Sequence, residues 1–170
     1  GNAYITGFFE SDTIQFGSYT LVNAGFLPNQ GHEDIFLAKY DANGNVLWAN
    51  SAGGLSSDEA WSVAVDASGN AYTTGYFASD TITFGSFNLM DDGNGDVFLT
   101  KYNTNGNIIW AKSVGGADWD AAESVAVDVS GNSYLTGESL SDTLIFGFDT
   151  LTNDGYSKMF LAKFDPNGNV

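Results

Sequence analysis

The amino-acid sequence predicts an all-β fold built from tandem copies of one antiparallel unit. A phrase of the form Gly-Asn-[Ala/Ser]-Tyr-x-Thr-Gly occurs at residues 1–7, 69–75 and 131–137. Apolar residues follow the two-residue period of strands, and no stretch keeps the helical spacing of i, i+3, i+4 and i+7 over three turns. The chain of 170 residues contains 21 glycines and two prolines, a composition that suits short strands joined by tight turns.

The repeating unit is 62 residues long, as the spacing between the second and third copies shows. The first and second copies are 68 residues apart because copy one carries a six-residue loop insertion around residues 26–32. We therefore expect one partial repeat array over residues 1–170. Copy one (1–68) lacks its first strand, copy two spans 69–130, and copy three (131–170) stops before its fourth strand.

Each unit is expected to contain four main strands and an accessory hairpin. Alternating small residues and valines predict the first strand, and glycine in the following Asp-x-Ser-Gly-Asn link supplies the positive φ that a hairpin turn needs. An Asp-x-Asn-Gly-Asn link joins the third strand to the fourth in the same way. The first three strands are predicted at 62–65, 71–77 and 97–102, with the accessory hairpin over 79–89. The fourth strand is predicted at 46–49 in copy one and at the equivalent position in the next copy.

Such four-stranded blades, of about 62 residues each, predict a β-propeller-like architecture, because blades must stack face to face to bury their apolar surfaces. An open stack or solenoid of the same sheets is the alternative. We expect three aromatic series to pack blade against blade, since each large ring buries on the order of 150–250 Å². These series are Tyr4/Tyr72/Tyr134, Trp48/Trp110 and Phe16/Phe84/Phe146.

The phrase Val-Asp-x-Ser-Gly-Asn-x-Tyr-x-Thr-Gly at residues 65–75 and 127–137 resembles the bacterial SBBP family, the seven-bladed β-propeller repeat. The phrases Phe-Leu-x-Lys-[Tyr/Phe]-[Asp/Asn]-x-Asn-Gly-Asn and Trp-Ala-x-Ser-x-Gly-Gly strengthen that resemblance. It implies a propeller-like domain in large secreted or surface-attached bacterial proteins, and it implies no catalytic site.

The charge balance restricts the partners. Twenty-one acidic residues against five basic ones, all lysines, give a net charge of −16. Nucleic-acid binding is therefore not expected, because neutralisation of phosphates dominates that affinity. No apolar run reaches the roughly twenty residues of a membrane span, so membrane insertion is not expected either. The expected partners are neighbouring repeats of a longer chain or a second copy, with a glycan as a further ligand.

Calcium is the one cofactor that the sequence suggests. The Asp-x-Asn-Gly-Asn turns fail the EF-hand spacing, because glycine falls at position 4 instead of 6. The loop at residues 91–96 is a better candidate, with Asp91, Asp92, Asn94 and Asp96 as its ligands. The alternative interpretation is a solvated turn.

Residues that break the repeat are the candidates for ligand binding. Trp61 stands where copy two has Glu123, Trp119 stands where copy one has Ser57, and His32 belongs to the inserted loop with Pro28 and Gln30. Exposed aromatic rings could stack on a sugar, or they could be ordinary surface variation. By contrast, Lys39, Lys101 and Lys163 recur, and a structural ion pair with a repeated aspartate such as Asp66 or Asp128 would explain them.

We expect no enzymatic activity, because the chain has one histidine, no cysteine, no arginine and no recognised nucleophile or phosphate-binding motif. The leading hypothesis is a secreted or cell-surface structural and adhesion module, with a surface filament as one form of its assembly. The first alternative is a lectin-like propeller that uses Trp61 and Trp119. A carboxylate-based hydrolase is the second, although no spacing selects a pair of acids.

Overall fold

The computed structural model describes residues 1–26 and 31–170, and Pro28 and Gln30 of the inserted loop lie outside these ranges. The described residues form sixteen β-strands and no helix, so the predicted all-β fold is confirmed. The strands are β1 Ala3–Phe9, β2 Thr13–Phe16, β3 Tyr19–Val22, β4 Asp34–Tyr40, β5 Val46–Ala52, β6 Asp58–Val65, β7 Ala71–Phe77, β8 Thr81–Phe84, β9 Phe87–Met90, β10 Asp96–Tyr102, β11 Ile108–Val114, β12 Asp120–Val127, β13 Ser133–Ser139, β14 Thr143–Phe146, β15 Asp149–Thr152 and β16 Lys158–Phe164.

The strands form three main sheets, which we call blades one, two and three, and three small hairpins. Blade two is complete, with the antiparallel order β11-β10-β7-β6. Blade one has the order β1-β4-β5, and blade three has the order β12-β13-β16. The hairpins β2-β3, β8-β9 and β14-β15 connect the second main strand of each blade to the third, as the repeat predicts. Tandem antiparallel blades of this kind form a β-propeller-like repeat fold.

The first main strand of each unit is longer than the sequence predicts. Strand β6 begins at Asp58, four residues before the predicted start at Ser62, and β12 begins at Asp120. The pairing of β6 with β7 shifts between Ala60 and Ser62, so Trp61 is the extra residue of a β-bulge. A bulge interrupts the two-residue alternation on which the prediction depended. The strand predicted at 46–49 likewise continues to Ala52.

The links between paired strands are the predicted hairpin turns. In the first of them, a carboxylate oxygen of Asp41 accepts hydrogen bonds from the backbone amides of Asn43 and Asn45. Gly44 takes a φ of 83°, which glycine adopts without strain. These hydrogen bonds lower the pKa of the Asp41 carboxyl, the side-chain amide of Asn45 contributing most. Aspartate therefore closes the turn instead of binding an ion there, as the sequence predicted.

Two large apolar clusters join the blades. One combines Ile35 and Leu37 of blade one with residues of blade two that include Phe77, and the other combines Val97 and Leu99 of blade two with residues of blade three. Tyr4, Tyr72, Trp48 and Trp110 of the predicted series lie at these interfaces, and Phe84 and Phe146 belong to the two clusters as well. Each ring of the phenylalanine series also contacts a phenylalanine of its own unit. The pairs are Phe16–Phe36, Phe84–Phe98 and Phe146–Phe160, with centroids 5.0, 5.2 and 5.4 Å apart.

Candidate functional site

The interface between blades two and three is held by three side chains that bind backbone carbonyls of the next blade. The Tyr72 hydroxyl donates to the Gly131 carbonyl at 3.0 Å. The Lys101 ammonium and the Trp110 indole N–H both donate to the Pro166 carbonyl, at 3.2 and 3.1 Å. We call this tyrosine–lysine–tryptophan set the clamp. It holds two turns of blade three, the one between β12 and β13 and the one that follows β16.

The same clamp joins blades one and two. Tyr4 donates to the Gly69 carbonyl at 2.9 Å. Lys39 and Trp48 donate to the Thr104 carbonyl at 2.8 and 3.1 Å. In both clamps the lysine ammonium also lies over the tyrosine ring, 5.2 Å from its centroid in the first clamp and 4.8 Å in the second. Such a cation–π contact is most favourable where water is excluded.

The recurring lysine mainly contacts the next blade, and the ion pair with aspartate that the sequence predicted is a minor contact. Lys101 lies 4.0 Å from Asp66, so the predicted ion pair is present only at the limit of contact. Its hydrogen bond goes to Pro166, and its ammonium faces the ring of Tyr72. Burial, with the negative charges of Asp66 and Asp128, raises the pKa of Tyr72 to about 12, which keeps its hydroxyl a donor. The lysine therefore belongs to a contact between blades.

Blade three carries the clamp residues Tyr134 and Lys163, with the ammonium 5.5 Å from the ring centroid. Its apolar face is open. Met159 and Leu161 are 92% and 70% exposed, whereas their equivalents Val97 and Leu99 in blade two are covered by blade three. Strand β16 pairs with β13, and its other edge has no described partner strand. The structure thus presents the tyrosine and the lysine of a third clamp beside an uncovered apolar face.

The clamp leads to a prediction that compares two equivalent tyrosines. Tyr72→Phe should lower the free energy of unfolding by about 1 kcal/mol, because it leaves the Gly131 carbonyl without its donor. Tyr134→Phe should change it by much less, since that hydroxyl bonds to a partly exposed Asp128 within its own blade. Urea unfolding followed by tryptophan fluorescence measures both. Equal losses for the two variants would contradict the assignment.

Two pairs of buried aspartates form a second feature of the blade interfaces. The Asp58 amide donates to the carbonyl of Glu33, the neighbour of Asp34, at 2.8 Å. The Asp120 amide donates in the same way to Gly95, the neighbour of Asp96, at 2.9 Å. All four aspartate side chains are at most 2% exposed. Each interface therefore brings two carboxylates together in a water-poor environment.

The predicted calcium loop does not gather its ligands. One carboxylate oxygen of Asp91 accepts the backbone amides of Gly93 and Gly95, and Asn94 points its side-chain amide at the Ala117 carbonyl. Asp92 is exposed at the surface, whereas Asp96 is buried at the interface. Within residues 1–26 and 31–170, no group of three or more His, Asp or Glu side chains is placed to hold a metal ion.

The structure brings two of the three predicted ligand-binding residues together. The rings of Trp61 and Trp119 have centroids 6.3 Å apart, and Tyr76 contacts both at 5.2 and 6.0 Å. Glu59 accepts hydrogen bonds from the Trp61 indole and the Tyr76 hydroxyl. This aromatic cluster bridges blades two and three. His32 lies elsewhere, two residues before β4, where its carbonyl accepts a hydrogen bond from the side chain of Asn23.

The sequence analysis missed the pairing of the buried aspartates and the carbonyl-binding function of the clamp. A signal for both was available. Aspartate recurs at 34 and 96 and at 58 and 120, and tyrosine, lysine and tryptophan recur at fixed offsets. Recurrence alone could not reveal which residues contact each other, because in each case the partner lies in the following blade.

The fold and the clamps together define a β-propeller-like tandem-repeat protein. No family model matches the chain. It is similar to regulatory protein FlaEY of Caulobacter vibrioides, 30% identical over 145 residues, and to an uncharacterized WD repeat-containing protein of Acanthamoeba polyphaga mimivirus, 26% identical over 168 residues. The matches cover 84% and 81% of this chain but only 15% and 12% of those relatives. The chain thus corresponds to a small part of two much longer proteins.

No described segment forms a helix with the length and apolar character needed to cross a membrane.

Proposed function

We propose that the chain is a non-enzymatic structural module that stacks with further repeats of its own kind in a larger assembly. The observation that carries this proposal is the clamp of blade three, set beside the uncovered Met159 and Leu161. At the two internal interfaces the same arrangement receives the turns and apolar face of the following blade. The great length of the relatives agrees with a longer array.

The occupant of the open face is a further 62-residue repeat. Three features of the open face match what such a repeat would bring. The first strand of the added residues would pair with the free edge of β16 and complete blade three. The apolar face of the following blade would cover Leu161, and the turn carbonyls of that blade would accept hydrogen bonds from Tyr134 and Lys163. Stability of such arrays grows with each interface added, because every unit contacts only its neighbours.

An in-register extension tests this proposal. A second copy of residues 109–170, added directly after Val170, continues the repeat and should raise the melting temperature. It should also slow amide exchange in β16. The control is the same extension with Leu161→Asp, which should lose most of the gain, while Leu161→Asp in the original chain should change little because Leu161 is exposed there. No rise in melting temperature on extension would overturn the proposal.

A secreted or cell-surface location and an adhesive purpose of the array stay predictions from the sequence. Labelling of intact cells with an impermeant amine reagent checks the location. Electron microscopy of a longer array checks the filament, since dispersed closed rings alone would rule it out.

A lectin-like function is the second candidate, and the proximity of Trp61 to Trp119 favours it. A tilted pair of partly exposed indoles beside Glu59 could receive a sugar on its outer face. Glycan-array binding should then be lost in the Trp61→Ala/Trp119→Ala double variant. Binding that survives this change would exclude the assignment.

A further inference from the structure

The aspartate pairs contain carboxylate oxygens that lack the partners which burial requires. Among the described residues, Oδ1 of Asp34, Asp96 and Asp120 is buried and has no hydrogen-bond partner. The opposite oxygens are satisfied, Asp34 by the Ala24 amide at 2.6 Å and Asp120 by the Ser141 hydroxyl at 2.8 Å. A buried, unpaired carboxylate is costly, and two beside each other are more so. A proton or a cation at these oxygens would remove that cost. Asp58 differs from the other three, because its oxygens accept hydrogen bonds from the Ala78 and Ser79 amides and the Ser79 hydroxyl.

Among the described residues, the recorded lysine–aspartate ion pairs involve Asp66 and Asp154 and none of these four aspartates. Burial, with smaller contributions from the negative charges of Asp91, Asp92 and Asp120, raises the pKa of Asp96 to about 7. Burial likewise raises the pKa of Asp58 to about 7 and that of Asp34 to about 6, with the charge of Asp34 adding to the effect on Asp58. A glycine lies against one carboxylate of each pair. A Cβ at Gly53 would fall 2.0 Å from Oδ1 of Asp34, and a Cβ at Gly115 would fall 1.7 Å from Oδ1 of Asp96.

The third copy points to how the charge is balanced. Where copies one and two have Asp34 and Asp96, copy three has Lys158. The Lys158 ammonium pairs with Asp154 at 2.8 Å. Copy three therefore carries its own positive charge at the position where the other two copies carry a buried carboxylate.

We propose that each aspartate pair, Asp34 with Asp58 and Asp96 with Asp120, binds one divalent cation of the calcium type between adjacent blades. Calcium prefers carboxylate, hydroxyl and carbonyl oxygens and completes its six to eight ligands with water. The pairs supply two carboxylates each, and Ser79 and Ser141 place hydroxyl groups beside them at 2.7 and 2.8 Å from Asp58 and Asp120. The cation would tie successive blades together.

The test uses calcium alone, added to the chain after treatment with a chelator. At pH 7.5, isothermal titration should show two calcium ions per chain, and the melting temperature should rise with calcium. Asp120→Asn should reduce the number of bound ions to one, and Asp58→Asn/Asp120→Asn should abolish binding and the calcium-dependent shift. Asp142→Asn, which removes the same charge from an exposed residue, should retain both ions.

A proton is the competing occupant, and pH separates the two. A raised pKa means that protonation stabilises the folded chain fully below 3.8 and that this contribution is lost as pH rises through about 6 to 7. The calcium-dependent rise in melting temperature should therefore fade between pH 7.5 and pH 5. If acid raises the melting temperature while calcium has no effect at pH 7.5, protons alone close the pairs and the proposal is overturned. Calcium binding that persists unchanged in Asp58→Asn/Asp120→Asn would overturn it as well.

Discussion

Replacing Gly75 by alanine should destabilise the chain severely, by about 3 kcal/mol in the free energy of unfolding. Gly75 lies in β7, the strand that pairs with both β6 and β10, and it faces Ala60 across the bulge at Trp61. A Cβ there would fall 1.9 Å from the Glu59 carbonyl oxygen, which is backbone and cannot rotate away. Two strands would have to separate to make room. Urea unfolding followed by tryptophan fluorescence measures the loss.

The repeat provides a matched control for this substitution. Gly7 is the equivalent residue of blade one, where no strand corresponding to β6 lies beside it among the described residues. A Cβ at Gly7 meets only the ring of Phe36, at 2.9 Å, and that ring can shift. We expect Gly7→Ala to cost under about 1 kcal/mol, and Gly137→Ala, which would meet the Ala121 carbonyl at 2.1 Å, to resemble Gly75→Ala. A cost for Gly7→Ala as large as that for Gly75→Ala would contradict the explanation.

Local patterns in the sequence predicted most of the fold, because strands and turns are encoded by neighbouring residues. The two-residue alternation located residues 62–65 of β6, and the Asp-x-Asn-Gly-Asn phrase located the turn closed by Asp41. The alternation failed at the bulge. Trp61 is an extra residue on β6, so the alternation of the residues before it is out of phase with that of the residues after it. For this reason the pattern did not reveal that β6 begins at Asp58.

The candidate sites were harder to predict because their partners lie in a neighbouring unit. Lys101 and Pro166 are 65 positions apart, and so are Lys39 and Thr104. The sequence suggested an aspartate as the partner of the lysine, since opposite charge was the only available guide. A backbone carbonyl carries no sequence signature, and only the stacking of blades brings it within reach.

The same limitation explains the calcium prediction. Four polar residues close in sequence suggested a loop that binds an ion, yet Asp91 uses its carboxylate to close its own turn. Asp96 alone of the four reaches the interface, where its companion is Asp120, 24 positions later in the chain. Proximity in sequence misled because Asp91, Asp92 and Asn94 belong to the loop before β10, whereas Asp96 is the buried first residue of that strand.

Phe98→Ala is the second substitution for which we expect a large loss, about 3–5 kcal/mol in the free energy of unfolding. The ring is fully buried in β10, and its centroid lies 5.2 Å from that of Phe84 in hairpin β8-β9. A two-stranded hairpin is at best marginally stable alone, so it depends on this contact with the main sheet. Removal of the ring should therefore have two effects. It should leave a cavity in the core, and it should loosen the attachment of the hairpin to the main sheet.

Two measurements separate these effects. Urea unfolding gives the total loss, and amide exchange shows whether β8 and β9 open before the blades do. The control is Phe148→Ala, a fully exposed ring in the corresponding hairpin of copy three, which should change stability by less than about 0.5 kcal/mol. Phe98→Leu should lie between the two, because it keeps part of the buried volume. If Phe98→Ala lowers stability as little as Phe148→Ala, the hairpin does not depend on this contact, and the repeated phenylalanine pairs need another explanation.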